Sequence, residues 1–325
     1  MLPRRRRTSD SCHGSARADV TAPSTHHRTT HASSTHDEGT RMTTVALLGT
    51  GLMGAGMARS MLRHGLDVVV WNRSPEKAAP LADVGARVAD DPESAVRDAD
   101  IVVTMLFDAD SVAEVAEQVL PSFGDGVPWV QTSTVGLDGT RRLAALAEEH
   151  DVTYVDAPVL GTRKPAETGA LTVLAGGPED IRDTVKPVFD AIGAKTVWVG
   201  TEPGDGHRLK LVANSWVLSV TTATAQAVGL AQHLDLDPRQ FLGSIKGGPL
   251  DCGYAQLKGE AMITGELEAS FGLDGAQKDA GLIADAMDGN EMNSEVMRAI
   301  GARFAAASEA GHGKDDMAAV IHGFE

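Results

Sequence analysis

Two stretches of the chain hold residue types at spacings that could do chemistry. The first is Gly49-Thr50-Gly51-Leu52-Met53-Gly54. In such a run the first glycine permits a tight turn, the second lets backbone amides approach a pyrophosphate, and the third lets the next helix lie close to its strand. A helix opening there adds positive potential for phosphates. The second stretch is Gly204-Asp205-Gly206-His207-Arg208-Leu209-Lys210, with Asn214 four residues beyond the lysine. Hydride delivered to a carbonyl leaves an alkoxide that needs a proton donor within hydrogen-bond reach. A lysine partly desolvated beside an apolar helix can have its pKa lowered toward working pH and supply that proton. Asn214 shares the lysine's helix face and can orient either the lysine or a substrate. Taken alone, a lysine in a first helical turn is more often a solvated charge, so the reading needs support from the rest of the chain.

The elements that would position these residues are legible on both sides of them. Val45-Ala46-Leu47-Leu48 leads into the glycine turn, and Met57, Ala58, Met61 and Leu62 then recur at helical spacing. After Gly65 a second strand, Asp67 to Trp71, ends in Asn72-Arg73-Ser74, closing a βαβ unit of the expected size of about 30 residues. An acid at the end of that strand would accept ribose hydroxyls, whereas a cation accommodates a 2′-phosphate. Here the acid is absent. Asn72 and Ser74 can donate hydrogen bonds and Arg73 offers a planar fork, which favours NADP over NAD; the plainer alternative for Arg73 is a solvated surface cation.

Strand and helix signals then alternate: Arg87-Val88, Ile101 to Leu106, a helix carrying Val112, Val115 and Val119, and Pro128 to Gln131. Tyr154 to Pro158 and Leu171 to Ala175 read as strands joined by a loop, Val159 to Gly169, and Thr196 to Val199 closes this half. From Gly204 the pattern becomes helical. The stretch His207 to Leu234 is too long and apolar for a surface helix, which places it centrally. The expected fold class is α/β: an N-terminal Rossmann-type doubly wound sheet, followed by an all-α C-terminal domain joined by a long central helix. The expected division is a disordered leader over 1–41, a dinucleotide-binding domain over 42–203 and a helical substrate and dimerisation domain over 204–325.

Composition sets the outer limits. The chain has 325 residues, is 42% apolar and carries 45 acidic against 29 basic side chains, a net charge of −16. That length suits about two domains, and that charge argues against nucleic acid or an anionic membrane as partner. Two cysteines, Cys12 and Cys252, cannot make a disulfide framework or a multi-thiolate zinc site, so a reducing, cytoplasmic protein with no metal is expected. The apolar stretches are all too short to span a membrane. Residues 1–41 differ from the rest: seven Arg and four acids give +3, leaving −19 for the remainder, and Thr8 to Arg41 contains no Leu, Ile, Phe, Tyr or Trp. Such a segment cannot form a core. Arg4 to Arg7 could open an export signal, but the apolar stretch that one needs is missing; Met42 directly precedes the first strand.

Several separated motifs agree on a family. The glycine turn, Asp156-Ala157-Pro158-Val159-Leu160-Gly161, the Gly-x-Gly-x-x-x-Lys-x-x-x-Asn spacing from Gly204 to Asn214, and Phe271 with Gln277-Lys278-Asp279 occur in order. Together they resemble the β-hydroxyacid dehydrogenase family, over about residues 43 to 322. The Asn72-Arg73 pair and Arg163-Lys164-Pro165-Ala166-Glu167-Thr168-Gly169 are most similar to its glyoxylate and succinic semialdehyde reductase branch. The resemblance implies NAD(P)-dependent reduction of a small aldehyde acid, or the reverse oxidation, with Lys210 as proton donor and Asn214 beside it. It also implies that Leu52, Met53, Met105, Leu106 and Thr134 line the cofactor cleft. Ser133, Gly161 and Thr162 would then face the substrate, Lys278 and Asp279 would close over the nicotinamide, and Phe271 would form an aromatic wall. Core packing explains Met105 and Leu106 equally well.

Two positions depart from the family pattern. Leu160 stands where the family usually has a serine that helps bind the substrate carboxylate, leaving backbone amides near Gly161 and Thr162 to hold an anion. Gln226 stands where Glu is usual. Two other classes therefore stay in view: an imine or secondary-metabolite reductase on the same scaffold, favoured by Leu160 and disfavoured by Lys210, and a cofactor-binding scaffold without turnover. A homodimer or homotetramer is expected, because Trp216 to Val220 and Met317 to Ile321 look like more apolar surface than one small helical core can cover.

Overall fold

The alternation of β1 (Thr44–Leu48) sorts its side chains onto the two faces of a sheet. Val45 and Leu47 join one buried cluster and Ala46 and Leu48 another. A strand buried on both faces reads as a continuous apolar run. The first cluster holds Met57 and Met61 of α1 (Leu52–Arg63), while the second receives Ala95 and Val96 from a helix later in the chain. Helices thus cover both faces. A computed structural model describes residues 42–325; the expected disordered leader over 1–41 lies outside the described residues.

The chain continues through β2 (Asp67–Trp71), α2 (Pro75–Ala78), β3 (Arg87–Val88), α3 (Pro92–Val96), β4 (Ile101–Thr104) and α4 (Ala109–Val119). It then forms β5 (Trp129–Gln131), α5 (Gly136–Glu149) and β6 (Tyr154–Asp156). These six strands run parallel in the order β3-β2-β1-β4-β5-β6. The order reverses between β1 and β4. In such sheets ligands bind outside the carboxyl ends of the strands at this switch point, where the Gly49–Gly54 turn and Met105-Leu106 lie. The sheet extends through β7 (Val159–Leu160) and β8 (Leu171–Gly176), which pair antiparallel, and β9 (Gly193–Gly200), which runs parallel to β8 after α7 (Arg182–Ile192).

The expected loop from Val159 to Gly169 is corrected here: it contains β7 and a short helix, α6 (Arg163–Thr168). Pro165 is compatible with this helix, because in the first helical turn its missing N–H has no intrahelical partner to lose. Gly169, at φ 69°, ends the helix in the left-handed conformation.

Beyond Gly200 the elements are helical: α8 (Asp205–His233), α9 (Pro238–Ile245), α10 (Gly253–Thr264), α11 (Leu273–Asp288) and α12 (Glu295–Ala307). A 3₁₀ run, Met317–Phe324, follows. The central helix α8 buries Leu211, Leu218, Ala225 and Val228 against α11, Phe304 of α12 and the 3₁₀ run. One expectation needs correction. Met317 to Ile321 are not surface: all five are at most 7% exposed, because the 3₁₀ run fills the space between α8 and α12. The central helix α8 also presents apolar surface, as expected at Trp216: Val212, Trp216 and Leu230 are 66%, 65% and 56% exposed along it. No helix among the described residues is long and apolar enough to cross a membrane.

Candidate active site

The glycine turn is built as its spacing requires. Gly49 takes φ 105°, and a Cβ there would lie 2.3 Å from Met105 O; one on Gly54 would lie 2.0 Å from Gly49 O. Strand, turn and helix can approach this closely only with glycine at both positions. A Cβ on Gly51 would meet nothing within 4 Å, because this residue faces a cleft of about 800 Å³. Leu52, Met53 and Gly54, which open α1, also line the cleft, and a helix leaves its first N–H groups unpaired. Open space at Gly51 in front of those amides fits a dinucleotide pyrophosphate.

At the end of β2, Asn72 has a structural task. Its Oδ1 accepts from Thr50 N at 3.0 Å and its Nδ2 donates to Ser74 O at 3.0 Å, so it braces the glycine turn. Arg73, Ser74 and Lys77 line this end of the cleft, and Arg73 Nη1 lies 3.9 Å from Glu114 Oε2 on α4.

Lys210 sits one and a half turns into α8 and is buried. Its Nζ donates to Val159 O at 2.8 Å. Burial lowers its pKa to about 8 from 10.5, the Asp279 carboxylate opposing the shift and the Lys278 ammonium adding to it. Asn214 makes no hydrogen bond to the lysine: its Nδ2 donates to Asp279 Oδ2 at 2.6 Å. Lys278 lies 2.8 Å from the other Asp279 oxygen and donates to Thr134 O at 2.5 Å. Helix α11 is thereby tied to the Thr132–Val135 loop of the sheet.

Of the residues singled out by sequence, the cleft is lined by Gly51 to Gly54, Asn72 to Ser74, Met105, Leu106, Thr134, Gly161, Lys210, Phe271, Lys278 and Asp279. Gly49, Ser133, Leu160, Thr162 and Asn214 do not line it. Ser133 is fully buried and its Oγ accepts from Leu106 N at 2.8 Å, so it holds the wall rather than facing the cleft. Leu160 sits between two lining residues, Val159 and Gly161, in a strand register opposite Thr172. The serine-to-leucine departure thus adds no side chain to the lining. Thr162 precedes α6 as its N-cap.

Sequence reasoning missed three features. Phe107, 55% exposed, lines the cleft with the Lys278 ammonium 5.7 Å from its ring centre; its place just past the end of β4 was the available signal. Glu114 faces the β2 end from α4. Finally, His207 is fully buried: Nδ1 bonds Asp156, and Nε2 accepts from Val135 N at 3.1 Å. Asp156 Oδ2 also accepts from the amides of Gly204 and His207, each at 3.0 Å. The imidazole therefore knots the end of β6, the start of α8 and the Thr134 loop together one turn before Lys210. No sequence-local pattern announces a pair 51 residues apart. No group of three or more potential metal ligands occurs among the described residues.

Comparison with known proteins gives a consistent picture. The family described as the NAD binding domain of 6-phosphogluconate dehydrogenase matches residues 44–200. That described as NAD-binding of NADP-dependent 3-hydroxyisobutyrate dehydrogenase matches residues 204–324. The chain is 30% identical over 268 residues to glyoxylate/succinic semialdehyde reductase 2, chloroplastic, of Arabidopsis thaliana, covering 82% of this chain and 75% of the relative. It is 31% identical to 2-(hydroxymethyl)glutarate dehydrogenase of Eubacterium barkeri, covering 83% of this chain and 90% of that one. The solved structure of 3-hydroxyisobutyrate dehydrogenase from Salmonella typhimurium superposes with a TM-score of 0.79 at 27% identity, covering 86% of this chain and 99% of the other.

Proposed function

The chain belongs to the β-hydroxyacid dehydrogenase family of NAD(P)-dependent oxidoreductases, and from that premise we propose that it is an NADP-dependent reductase of a small aldehyde acid, with Lys210 as its general acid and base. The observation that carries this is the buried Lys210 ammonium at Val159 O in the same cleft as the glycine turn. Residues 42–203 would hold the dinucleotide and residues 204–325 would supply the proton donor and the subunit contact.

When bound, the nicotinamide supplies or accepts the hydride. In reduction Lys210, charged, donates a proton to the alkoxide oxygen; in oxidation Lys210, neutral, removes it from the alcohol. Asn214 holds Asp279, which keeps negative charge near the lysine, and Lys278 bridges Asp279 to the Thr134 carbonyl. Phe271 and Phe107 supply apolar walls to the cleft. Backbone amides near Gly161 remain the candidate carboxylate site. The test is NADPH consumption against glyoxylate, succinic semialdehyde and related short semialdehydes, with a cyclic imine as control. Turnover on an aldehyde acid supports the reading, and turnover on the imine alone overturns it.

Arg73 is the reader of the 2′-phosphate in this account. Replacing Arg73 with Asp should weaken NADPH by about 1.5 to 3 kcal/mol, the range of a charge-assisted hydrogen bond, and affect NADH far less. Equal losses for both cofactors in a binding titration would remove Arg73 from that role.

The exposed stripe of Val212, Trp216 and Leu230 on α8, with Leu257 of α10 at 63% exposure, supports a homodimer or a homotetramer, since apolar patches of this kind are covered by association. Light scattering at micromolar concentration should give a multiple of the chain mass; a monomer contradicts the expectation. Placement in the reducing cytoplasm rests on the two cysteines and is part of the same proposal.

A further inference from the structure

Helix α4 turns one polar face toward the adenosine end of the cleft. Ser111, Glu114 and Gln118, at i, i+3 and i+7, all line it. The opposite wall is the turn after β2, where Arg73 Nη1 stands 3.9 Å from Glu114 Oε2, both side chains mostly in solvent. The guanidinium on which cofactor choice depends therefore already faces a carboxylate. A 2′-phosphate brought to Arg73 would come close to that carboxylate and be repelled by it. A ribose with free hydroxyls would escape the repulsion and find an acceptor.

That acceptor is the kind of group an acid at the end of the second strand otherwise supplies, and β2 is followed by Asn72 instead. We propose that Glu114 is a specificity-determining residue that limits the preference of this chain for a 2′-phosphorylated dinucleotide, restoring from α4 the ribose acceptor that β2 lacks. Lys77 lines the same end and, among the described residues, is in no ion pair within 4 Å, so it reinforces Arg73. Of the groups lining this end, two cations, Arg73 and Lys77, and one acid, Glu114, thus set the balance, with the Asp108 carboxylate also within electrostatic reach of Arg73, and NADH remains usable. The inference rests on Arg73 as the phosphate reader.

The probes are adenosine 2′,5′-bisphosphate and adenosine 5′-monophosphate, titrated calorimetrically into the full chain. Glu114→Gln should tighten the bisphosphate about threefold to fivefold, the scale of an exposed ion pair, without tightening the monophosphate. The gain should shrink at high salt. Glu114→Ala should give the same change in the ratio of the two affinities, which separates loss of charge from new amide contacts. An unchanged ratio in both variants overturns the proposal, while Arg73→Ala still losing bisphosphate selectively would leave the NADP reading standing. A ratio unmoved by Arg73→Ala would overturn both.

Discussion

Turnover of the Lys210→Ala protein should fall by about 10²- to 10⁴-fold, the contribution of a positioned general acid. NADPH affinity should change little, because the proposed dinucleotide contacts, Gly51 to Gly54 and Arg73, are other residues of the cleft lining. Lys210→Arg should not restore activity. A guanidinium keeps its proton far above neutral pH and cannot act as base in the oxidation, and the larger head would have to fit where Lys210 is buried against Val159 O. Steady-state kinetics in both directions check this. Retained turnover in Lys210→Ala would move proton transfer to another group and return the imine-reductase reading to the front.

The second large effect is on stability. Lys258 of α10 and Asp316 form a buried ion pair at 2.6 Å. Asp316 also accepts from the amides of Ser270, Phe271 and Ala318 and from the Ser270 hydroxyl. The pair therefore fixes the segment that carries the cleft wall Phe271. Asp316→Ala would leave an ammonium buried without its counter-charge, and should cost about 3 to 5 kcal/mol out of a total stability of about 5 to 15 kcal/mol. Lys258→Met should cost less, because the carboxylate keeps its other four donors. Urea denaturation of both variants measures the difference, and equal small losses would show that the pair is not the anchor.

The pH sense follows from the same carboxylate. Burial alone would raise the Asp316 pKa, but hydrogen bonding and charge from Lys258, with the Ala318 and Ser270 donors, bring it below 3.8. A carboxyl whose folded value lies below its unfolded one contributes stability that is complete above the unfolded value and is lost as pH falls through the folded one. The wild-type protein should therefore lose this contribution in acid below about pH 4, in the range where free carboxyls titrate, and Asp316→Asn should show a flatter acid limb.

How much of this was legible beforehand depends on the range over which each signal acts. The βαβ start was readable because β1 is a short continuous apolar run and α1 repeats near 3.6, and because the glycines recur between them. Those are local features, and the doubly wound fold class followed from them. The segment from Val159 to Thr168 was not readable, since a two-residue strand shows no period and Pro165 imitates a break. Met317 to Ile321 was misplaced because an apolar run looks the same whether it is core or surface. Within the site, Lys210, Lys278 and Asp279 could be named from motif spacing, but their mutual contacts could not. Asn214 was expected beside the lysine or the substrate and instead holds Asp279, a partner 65 residues away that helical spacing cannot reveal. The Asp156–His207 knot and the Arg73–Glu114 pair are likewise products of tertiary packing.

Proton transfer by Lys210 should set the pH dependence of alcohol oxidation by NADP⁺. Oxidation needs the neutral amine, so the rate should rise as pH passes an inflection at about 8, the value to which burial lowers Lys210, and this inflection should be absent from the residual activity of Lys210→Ala. An inflection at the ordinary lysine value of 10.5, or one that persists unchanged in the alanine variant, would contradict the account.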